Sequence, residues 1–207
     1  MNNFTSDLGR SQRIPCPPRA ARYARRVIVL VLGGTRSGKS ELAEQLAARL
    51  PAPVTYVATT TPVGGGSAGG AFDDDMAERI ARHRARRSAE WRTLEVGADP
   101  PAALTDALER TSGTVLVDSL GTWLAGRPDF DPDVEGLVAA VRRRRGDTVL
   151  VSDEVGLGVH PSTEVGRRFR DALGFANRAV AEASDRVLLV VAGRVLDLQP
   201  AGDVLRG

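Results

Sequence analysis

Short runs of consecutive apolar residues recur along this chain. They are rich in valine and leucine and lie at residues 27–32, 54–58, 114–117, 148–151 and 186–191. Runs of this kind are typical of strands that are buried on both faces of a parallel sheet. Two weaker runs, at residues 92–95 and 194–198, predict edge strands.

Segments in which apolar residues recur at helical spacing separate these runs. They lie near residues 38–50, 74–88, 101–110, 133–144 and 164–183. Strands that alternate with helices predict an α/β fold, with a mostly parallel sheet that carries helices on both faces. One such domain is sufficient for 207 residues, and we expect it to span residues 27–207.

The first apolar run leads directly into a glycine-rich segment. Its residues are Gly33, Gly34, Thr35, Arg36, Ser37, Gly38, Lys39 and Ser40. This G-x-x-x-x-G-K-S pattern between a strand and a helix predicts a P-loop that binds the phosphates of ATP or GTP. We expect Lys39, the only lysine in the chain, to contact the β- and γ-phosphates and Ser40 to bind Mg²⁺. The alternative is a chance match, which the flanking strand and helix disfavour. The fold prediction becomes the three-layer architecture of P-loop NTPases, of RecA-like type.

Charge is distributed unevenly along the chain. The net charge is +2, but residues 1–26 contain six arginines and one acid, so the remainder has 22 basic and 25 acidic residues. The predicted domain therefore offers no basic excess for binding nucleic acid. The arginine- and proline-rich residues 1–26 predict a disordered tail or a misplaced start codon, with binding of an acidic partner as the alternative.

Cysteine usage and hydropathy bear on the location of the protein. A single cysteine, Cys16, excludes a disulfide framework and fits a reducing compartment. The longest apolar run, residues 27–32, is too short to span a membrane. These features predict a cytoplasmic protein without a membrane span. The glycine-rich residues 63–70 predict a flexible insertion.

Acidic residues follow two of the predicted buried strands. Asp118 ends the run at residues 114–117, and Asp153 and Glu154 follow the run at residues 148–151. Ligands of parallel sheets collect at the carboxyl ends of the strands, so these acids are candidates for holding metal or substrate. We favour Asp118 as the metal residue, with Asp153 as the alternative.

The two histidines are expected in different elements, one on a helix and the other in a loop. Asp73–Asp75 opens a predicted helix on which Met76, Ile80, His83 and Arg87 share one face. Histidine has a suitable pKa for catalysis, but a histidine on such a face is more often a packing or surface residue. His160 precedes Pro161 and is expected in a loop.

Five blocks of this sequence resemble the bifunctional adenosylcobinamide kinase/adenosylcobinamide-phosphate guanylyltransferase family of cobalamin biosynthesis. The blocks are GGTRSGKSELAEQL (33–46), YVATTTP (56–62), DDDMAERIARHRARRSAEWRTLE (73–95), VLVDSLGTWLA (115–125) and VSDEVGLGVHPSTEVGRRFRDALGFANRAVAEASDRVLLVVAG (151–193). The last block is the most distinctive, whereas the P-loop alone would not identify the family.

The resemblance implies a two-step transferase. The first step phosphorylates the aminopropanol hydroxyl of adenosylcobinamide with ATP or GTP. The second transfers GMP from GTP to adenosylcobinamide phosphate, and releases pyrophosphate. The family's nucleophilic histidine maps onto His83, whose neutral imidazole can attack the α-phosphorus. A homotrimer with sites between subunits is also implied.

The resemblance also implies roles for several further residues. Arg36, Arg79 and Glu95 are expected at the nucleotide; the alternatives are a solvated loop charge for Arg36 and, equally, a helix-surface pair with Asp75 for Arg79. Asp153, Glu154, Arg168 and Arg170 are expected to contact substrate or phosphate; for the two arginines, a solvated, salt-bridged helix face is an equal alternative. The sequence departs from the family pattern at Asp153, where Asn is common, and at residues 119–124, where the pattern is Cys-Leu-Thr-Leu-Trp-Leu.

Two other functions stay open on the sequence alone. The first is a P-loop kinase for a small molecule that lacks the guanylyl-transfer step, in which His83 would be dispensable. The second is a RecA-like P-loop ATPase, against which the slightly acidic domain and the 4% aromatic content argue.

Overall fold

The computed structural model describes residues 26–59, 88–97 and 103–204. Within these residues the chain forms a seven-stranded sheet. Its strands are β1 (Ile28–Gly33), β2 (Val54–Ala58), β3 (Arg92–Glu95), β4 (Thr114–Asp118), β5 (Thr148–Asp153), β6 (Arg186–Val191) and β7 (Arg194–Leu198). Five predictions lie outside the described residues: the tail up to residue 25, the insertion at residues 63–70, the helix near residues 74–88 apart from its last residue, and the roles of Arg79 and His83.

The sheet is parallel except at one edge. The strand order is β3-β2-β4-β5-β1-β6-β7, and only the β6–β7 pair is antiparallel. The predicted mostly parallel sheet is confirmed, and both weak runs form the edge strands. The P-loop strand β1 lies between β5 and β6, so that the strands carrying Asp118 and Asp153 lie on one side of it.

Helices cover both faces of the sheet. They are α1 (Lys39–Ala47), α2 (Ala103–Arg110), α3 (Leu120–Ala125), α4 (Val134–Arg143), α5 (Glu164–Ala183) and α6 (Ala201–Val204). Helix α1 packs Ala43 and Ala47 against one face, whereas α2 to α5 cover the other through residues such as Leu104, Leu137 and Leu173. The strands between these layers are apolar on both faces for that reason.

Helix α3 did not emerge from the hydrophobic pattern. It has only six residues, which is too few for a helical period to be recognised. A capping box begins it: the Ser119 hydroxyl accepts a hydrogen bond from the Thr122 backbone N–H, and the Thr122 side chain bonds to the Ser119 backbone N–H. The cap starts a helix directly after Asp118, at the end of β4.

A buried arginine ties the opposite end of the sheet together. Arg144 follows α4, is only 5% exposed, and donates a hydrogen bond to Thr148 Oγ1 at 3.1 Å. Its guanidinium also donates to three backbone carbonyl oxygens that precede β4, those of Leu108, Thr111 and Gly113. Burial lowers the pKa of Arg144 to about 10, an effect that nearby Asp147 partly opposes. Arg144 therefore stays charged at neutral pH and fixes the starts of β4 and β5.

Among the described residues, no helix combines the length and the apolar composition that a membrane-spanning segment needs.

Candidate active site

The candidate site lies where β1, β4 and β5 end. Gly33, the last residue of β1, pairs in register with Asp153, the last residue of β5. Asp118, the last residue of β4, pairs with Val151 on the other side of β5. The topology thus brings the P-loop and both candidate acids to the same edge of the sheet, as expected for ligand sites in open α/β sheets.

The P-loop conformation requires glycine at two positions. Gly38 has a φ of 95°, in the left-handed region that favours glycine, and immediately precedes α1. A Cβ at Gly33 would lie 2.7 Å from the Val190 carbonyl oxygen, so a side chain there would displace the backbone. The turn between β6 and β7 also contacts the loop, because the Gly193 N–H donates to the Ser37 carbonyl oxygen at 2.9 Å. Gly34, Thr35 and Arg36 are exposed at its tip.

Lys39 is the most deeply buried charge of the loop, at 4% exposure. Its Nζ forms an ion pair with Asp153 Oδ1 at 2.7 Å and donates to the Gly34 carbonyl oxygen at 3.2 Å. The ammonium therefore lies between the loop and the end of β5. A compact cation in this position can bind phosphate oxygens.

Asp118 lies beside the other functional residue of the motif. The Ser40 hydroxyl is 3.4 Å from Asp118 Oδ1, and the buried Tyr56 hydroxyl donates to Asp118 Oδ2 at 2.8 Å. A hydroxyl and a carboxylate are oxygen donors that suit Mg²⁺, which commonly keeps most of its other ligands as water and phosphate. No group of three or more His, Cys, Asp or Glu side chains in residues 26–59, 88–97 and 103–204 forms an alternative metal site.

Hydroxyl groups fix the backbone immediately after Asp118. The buried Thr59 Oγ1 accepts a hydrogen bond from the Ser119 N–H at 2.9 Å and lies 2.6 Å from Thr122 Oγ1. It is also 2.6 Å from the Ser119 carbonyl oxygen. The end of β2 is thereby joined to the start of α3. Sequence reasoning missed Tyr56 and Thr59, although both lie in the quoted block at residues 56–62.

Comparison with known proteins identifies the family of this chain. A family model described as cobinamide kinase / cobinamide phosphate guanyltransferase matches residues 29–198. The bifunctional adenosylcobalamin biosynthesis protein CobP of Pseudomonas aeruginosa is 42% identical over 179 residues, which cover 82% of this chain and 96% of that protein. The protein CobU of Salmonella typhimurium, with the same description, is 36% identical over 185 residues, which cover 81% and 97%. The chain belongs to this family. It is an enzyme with kinase and guanylyltransferase activities, which confirms the predicted enzyme class and nucleotide-binding function.

Solved structures with related architecture are more distant. The flagellar accessory protein FlaH of Methanocaldococcus jannaschii has a TM-score of 0.41 and 13% identity, over 83% of this chain and 76% of that one. A protein of Pyrococcus horikoshii OT3 has a TM-score of 0.47 and 11% identity, over 87% and 90%. Neither resemblance bears on the function.

Two positions at which this member departs from the family pattern are in contact. A Cβ at Gly121 would lie 2.4 Å from Asp153 Oδ2, so the carboxylate fills the space beside the glycine. The Asp153 backbone is held separately, because Asn177 Nδ2 donates to its carbonyl oxygen at 3.0 Å. The two departures therefore form one local arrangement next to Lys39.

Glu154 and Glu95 lie at the same edge with other partners. The Glu154 N–H donates to the Gly33 carbonyl oxygen at 3.1 Å, and its Oε1 accepts from the Gly156 N–H at 2.7 Å. Glu154 thus stabilises the loop after β5, beside the P-loop. Glu95 ends the edge strand β3, in register with Ala58 of β2, and is exposed.

The structure does not bring Arg168 and Arg170 to the P-loop within the described chain. Arg168 pairs with Asp129 at 3.2 Å. Arg170 pairs with Asp171 at 3.0 Å and lies 2.7 Å from His160 Nδ1. These contacts correspond to the solvated, salt-bridged alternative within one subunit, and the predicted contact of these arginines with phosphate remains a prediction.

Proposed function

We propose that this enzyme phosphorylates the aminopropanol hydroxyl of adenosylcobinamide with ATP or GTP and then transfers GMP from GTP to the phosphate so formed. The products of the second step are adenosyl-GDP-cobinamide and pyrophosphate. The observation that carries the proposal is the cluster of Lys39, Ser40 and Asp118 at one sheet edge, in a chain of this family.

In the kinase step the P-loop orients the triphosphate and stabilises its charge. The exposed backbone N–H groups at the loop tip and the N-terminus of α1 cradle the phosphates. Lys39 contacts the β- and γ-phosphates, and the substrate hydroxyl oxygen attacks the γ-phosphorus as the bond to the β-phosphate oxygen breaks and the hydroxyl proton is released. Ser40 and Asp118 would hold Mg²⁺, with Tyr56 orienting the carboxylate. Bound Mg²⁺ neutralises charge on the phosphate oxygens.

In the second step we assign the nucleophile to His83. Its imidazole attacks the α-phosphorus of GTP and pyrophosphate leaves, which gives a histidine–GMP phosphoramidate. A phosphate oxygen of adenosylcobinamide phosphate then displaces the imidazole. Covalent catalysis divides a difficult transfer between two anions into two easier ones. Arg79 and Arg36 would neutralise phosphate charge, and Glu95 would contact the nucleotide.

We further infer a homotrimer with sites between subunits, located in the cytoplasm. Large apolar side chains are exposed along the β7 edge and on α5, including Leu196 at 59% and Phe175 at 65%. Exposed apolar area of this kind supports burial against another copy. In that arrangement Arg168 and Arg170 would meet phosphates bound by a neighbouring subunit. Light scattering at several protein concentrations tests the assembly, and a monomer at every concentration would contradict it.

The decisive experiment follows the α-phosphate. The enzyme is incubated with α-³²P-labelled GTP and Mg²⁺, denatured, and tested for protein-bound label that is stable in alkali and labile in acid. His83→Ala should abolish the label. His160→Ala is the matched control, since the chain has only two histidines, and it should keep the label.

Separate outcomes identify which half of the proposal fails. Label that persists in His83→Ala would remove this histidine from the mechanism. No label in the unmodified enzyme, with transfer of the γ-phosphate to adenosylcobinamide intact, would reduce the function to that of a P-loop kinase. Triphosphate hydrolysis without either transfer would contradict both steps.

A further inference from the structure

The two acids at the strand ends have different partners. Asp118 faces Ser40 and Tyr56, whereas Asp153 forms its ion pair with Lys39. The residue that should bind phosphate therefore already has an anionic partner within the protein. That partner is a full carboxylate 2.7 Å from the ammonium, which is the distance of a strong charge-assisted hydrogen bond.

The surroundings of Asp153 define where its carboxylate lies. Oδ1 contacts Lys39, while Oδ2 occupies space next to Gly121 that a Cβ would otherwise take. Asn177 holds the backbone of the same residue through its carbonyl oxygen. The lysine is almost fully buried, and the Asp153 side chain is 27% exposed, so the carboxylate is accessible from solvent while the ammonium is not. The contacts around Asp153 therefore fix its carboxylate beside Lys39.

We propose that Asp153 is a positioning residue that competes with nucleotide phosphate for Lys39 and so makes triphosphate binding depend strongly on Mg²⁺. An incoming phosphate must share or take over the ammonium, and it approaches a carboxylate of like charge. The Asp153 carboxylate repels a triphosphate most strongly when no Mg²⁺ is bound to it. A triphosphate that carries Mg²⁺ has two fewer negative charges and is repelled less, because the interaction scales with the product of the charges.

The proposal makes a prediction about binding rather than turnover. Asp153→Asn keeps the size of the side chain and removes its charge. It should lower the Kd of GTP measured in EDTA by about tenfold, which corresponds to about 1.4 kcal/mol. The Kd with Mg²⁺ should change by less than about threefold, so that the ratio of the two constants shrinks.

A matched control measures the general effect of removing one negative charge near the loop. Glu41 is exposed in the first turn of α1, and its Oε1 accepts a hydrogen bond from Gln45 Nε2 at 3.4 Å. Glu41→Gln should change both Kd values by less than about twofold, since solvent screens an exposed charge. A specific effect of Asp153 is the difference between the two variants.

Isothermal titration calorimetry of the full chain with GTP, in EDTA and in Mg²⁺, provides the test. Asp153→Ala serves as a second variant, and thermal melts of all variants establish that they are folded. Tighter binding in EDTA for both Asp153 variants supports the proposal. Unchanged or weaker binding in EDTA overturns it, and a loss of affinity confined to Mg²⁺ would overturn it in favour of Asp153 as a metal residue.

This inference rests on the nucleotide site and not on the guanylyl-transfer step. The two can therefore fail separately. Absence of a histidine–GMP intermediate leaves the binding prediction intact, and failure of the binding prediction leaves the labelling experiment intact.

Discussion

The buried Arg144 offers a sharp test of what stabilises the sheet at the end opposite the site. Its guanidinium donates to the carbonyl oxygens of Leu108, Thr111 and Gly113 and to the Thr148 hydroxyl. Arg144→Met removes all four hydrogen bonds and keeps an unbranched apolar chain of similar length. The three carbonyl oxygens then lose a charged donor in a part of the protein that excludes most water.

The size of the effect follows from two opposing contributions. Hydrogen bonds to a charged donor are worth about 1.5 kcal/mol each at the low end, so four of them contribute about 6 kcal/mol. Against this, the lowered pKa of Arg144, about 10 instead of 12.5, indicates a cost of about 3 kcal/mol for burying the charge, which methionine avoids. The net loss in the free energy of unfolding is therefore about 3 kcal/mol, and the Tm should fall by about 6–12 °C.

Urea denaturation and thermal melts measure this loss, with Arg143→Met as the control. Arg143 is the preceding residue, but it forms a surface ion pair with Glu109 in which the side chains are 64% and 44% exposed. Its replacement should cost less than about 1 kcal/mol. Arg144 contacts Thr148, at the start of β5, whereas Asp153 ends that strand, so the GTP affinity of the folded variant should not change. Equal losses for the two variants would refute the reasoning.

Three further predictions concern single residues. Tyr56→Phe removes the 2.8 Å hydrogen bond to Asp118 and should weaken GTP binding in Mg²⁺ by about tenfold. Binding of GTP in EDTA should change little, and equal changes in the two calorimetric titrations would contradict this prediction. Lys39→Met should weaken GTP binding by about a hundredfold in calorimetry, because a charge-assisted phosphate contact is lost, and retained affinity would contradict the P-loop assignment. Gly113→Ala should lower the free energy of unfolding by about 2 kcal/mol or more, because Gly113 has a φ of 71° and a Cβ would lie 2.3 Å from the Pro53 carbonyl oxygen. Urea denaturation measures this loss, and an unchanged unfolding midpoint would contradict the prediction.

Much of the fold follows from local pattern in the sequence. The strong apolar runs predict β1, β2, β4, β5 and β6 because a strand buried on both faces must be apolar along its length, whereas the exposed edge strands β3 and β7 give only weak runs. The P-loop, Asp118 and Asp153 are predicted to lie together because parallel strands place their carboxyl ends at one edge. Helices α3 and α6 are the exceptions, since six and four residues are too few to give a periodic signal.

The pairing of side chains at the site did not follow from sequence. Tyr56 is apolar in any periodicity analysis, yet its hydroxyl bonds to Asp118, 62 residues away. The sequence favours Asp118 over Asp153 as the metal residue, but only the tertiary structure shows that Asp118 lies beside Ser40 and that Asp153 pairs with Lys39. Arg168 has its partner Asp129 at a separation of 39 residues. Such contacts depend on the order of strands in the sheet, which no local pattern encodes.

The position of Lys39 bears on how one loop can serve two reactions. In the proposed kinase step, charge develops on the oxygen that joins the β- and γ-phosphates. In the proposed guanylyl transfer, the same two phosphates leave together as pyrophosphate. A cation fixed at the β- and γ-phosphates therefore stabilises the leaving group in both steps, while the nucleophile changes from a substrate hydroxyl to His83. It follows that Lys39→Met should impair both activities, whereas His83→Ala should impair only the second. Because Asp153 acts through Lys39, Asp153→Asn should strengthen the inhibition of both steps by Mg²⁺-free GTP, and a change confined to one step would separate Asp153 from the lysine.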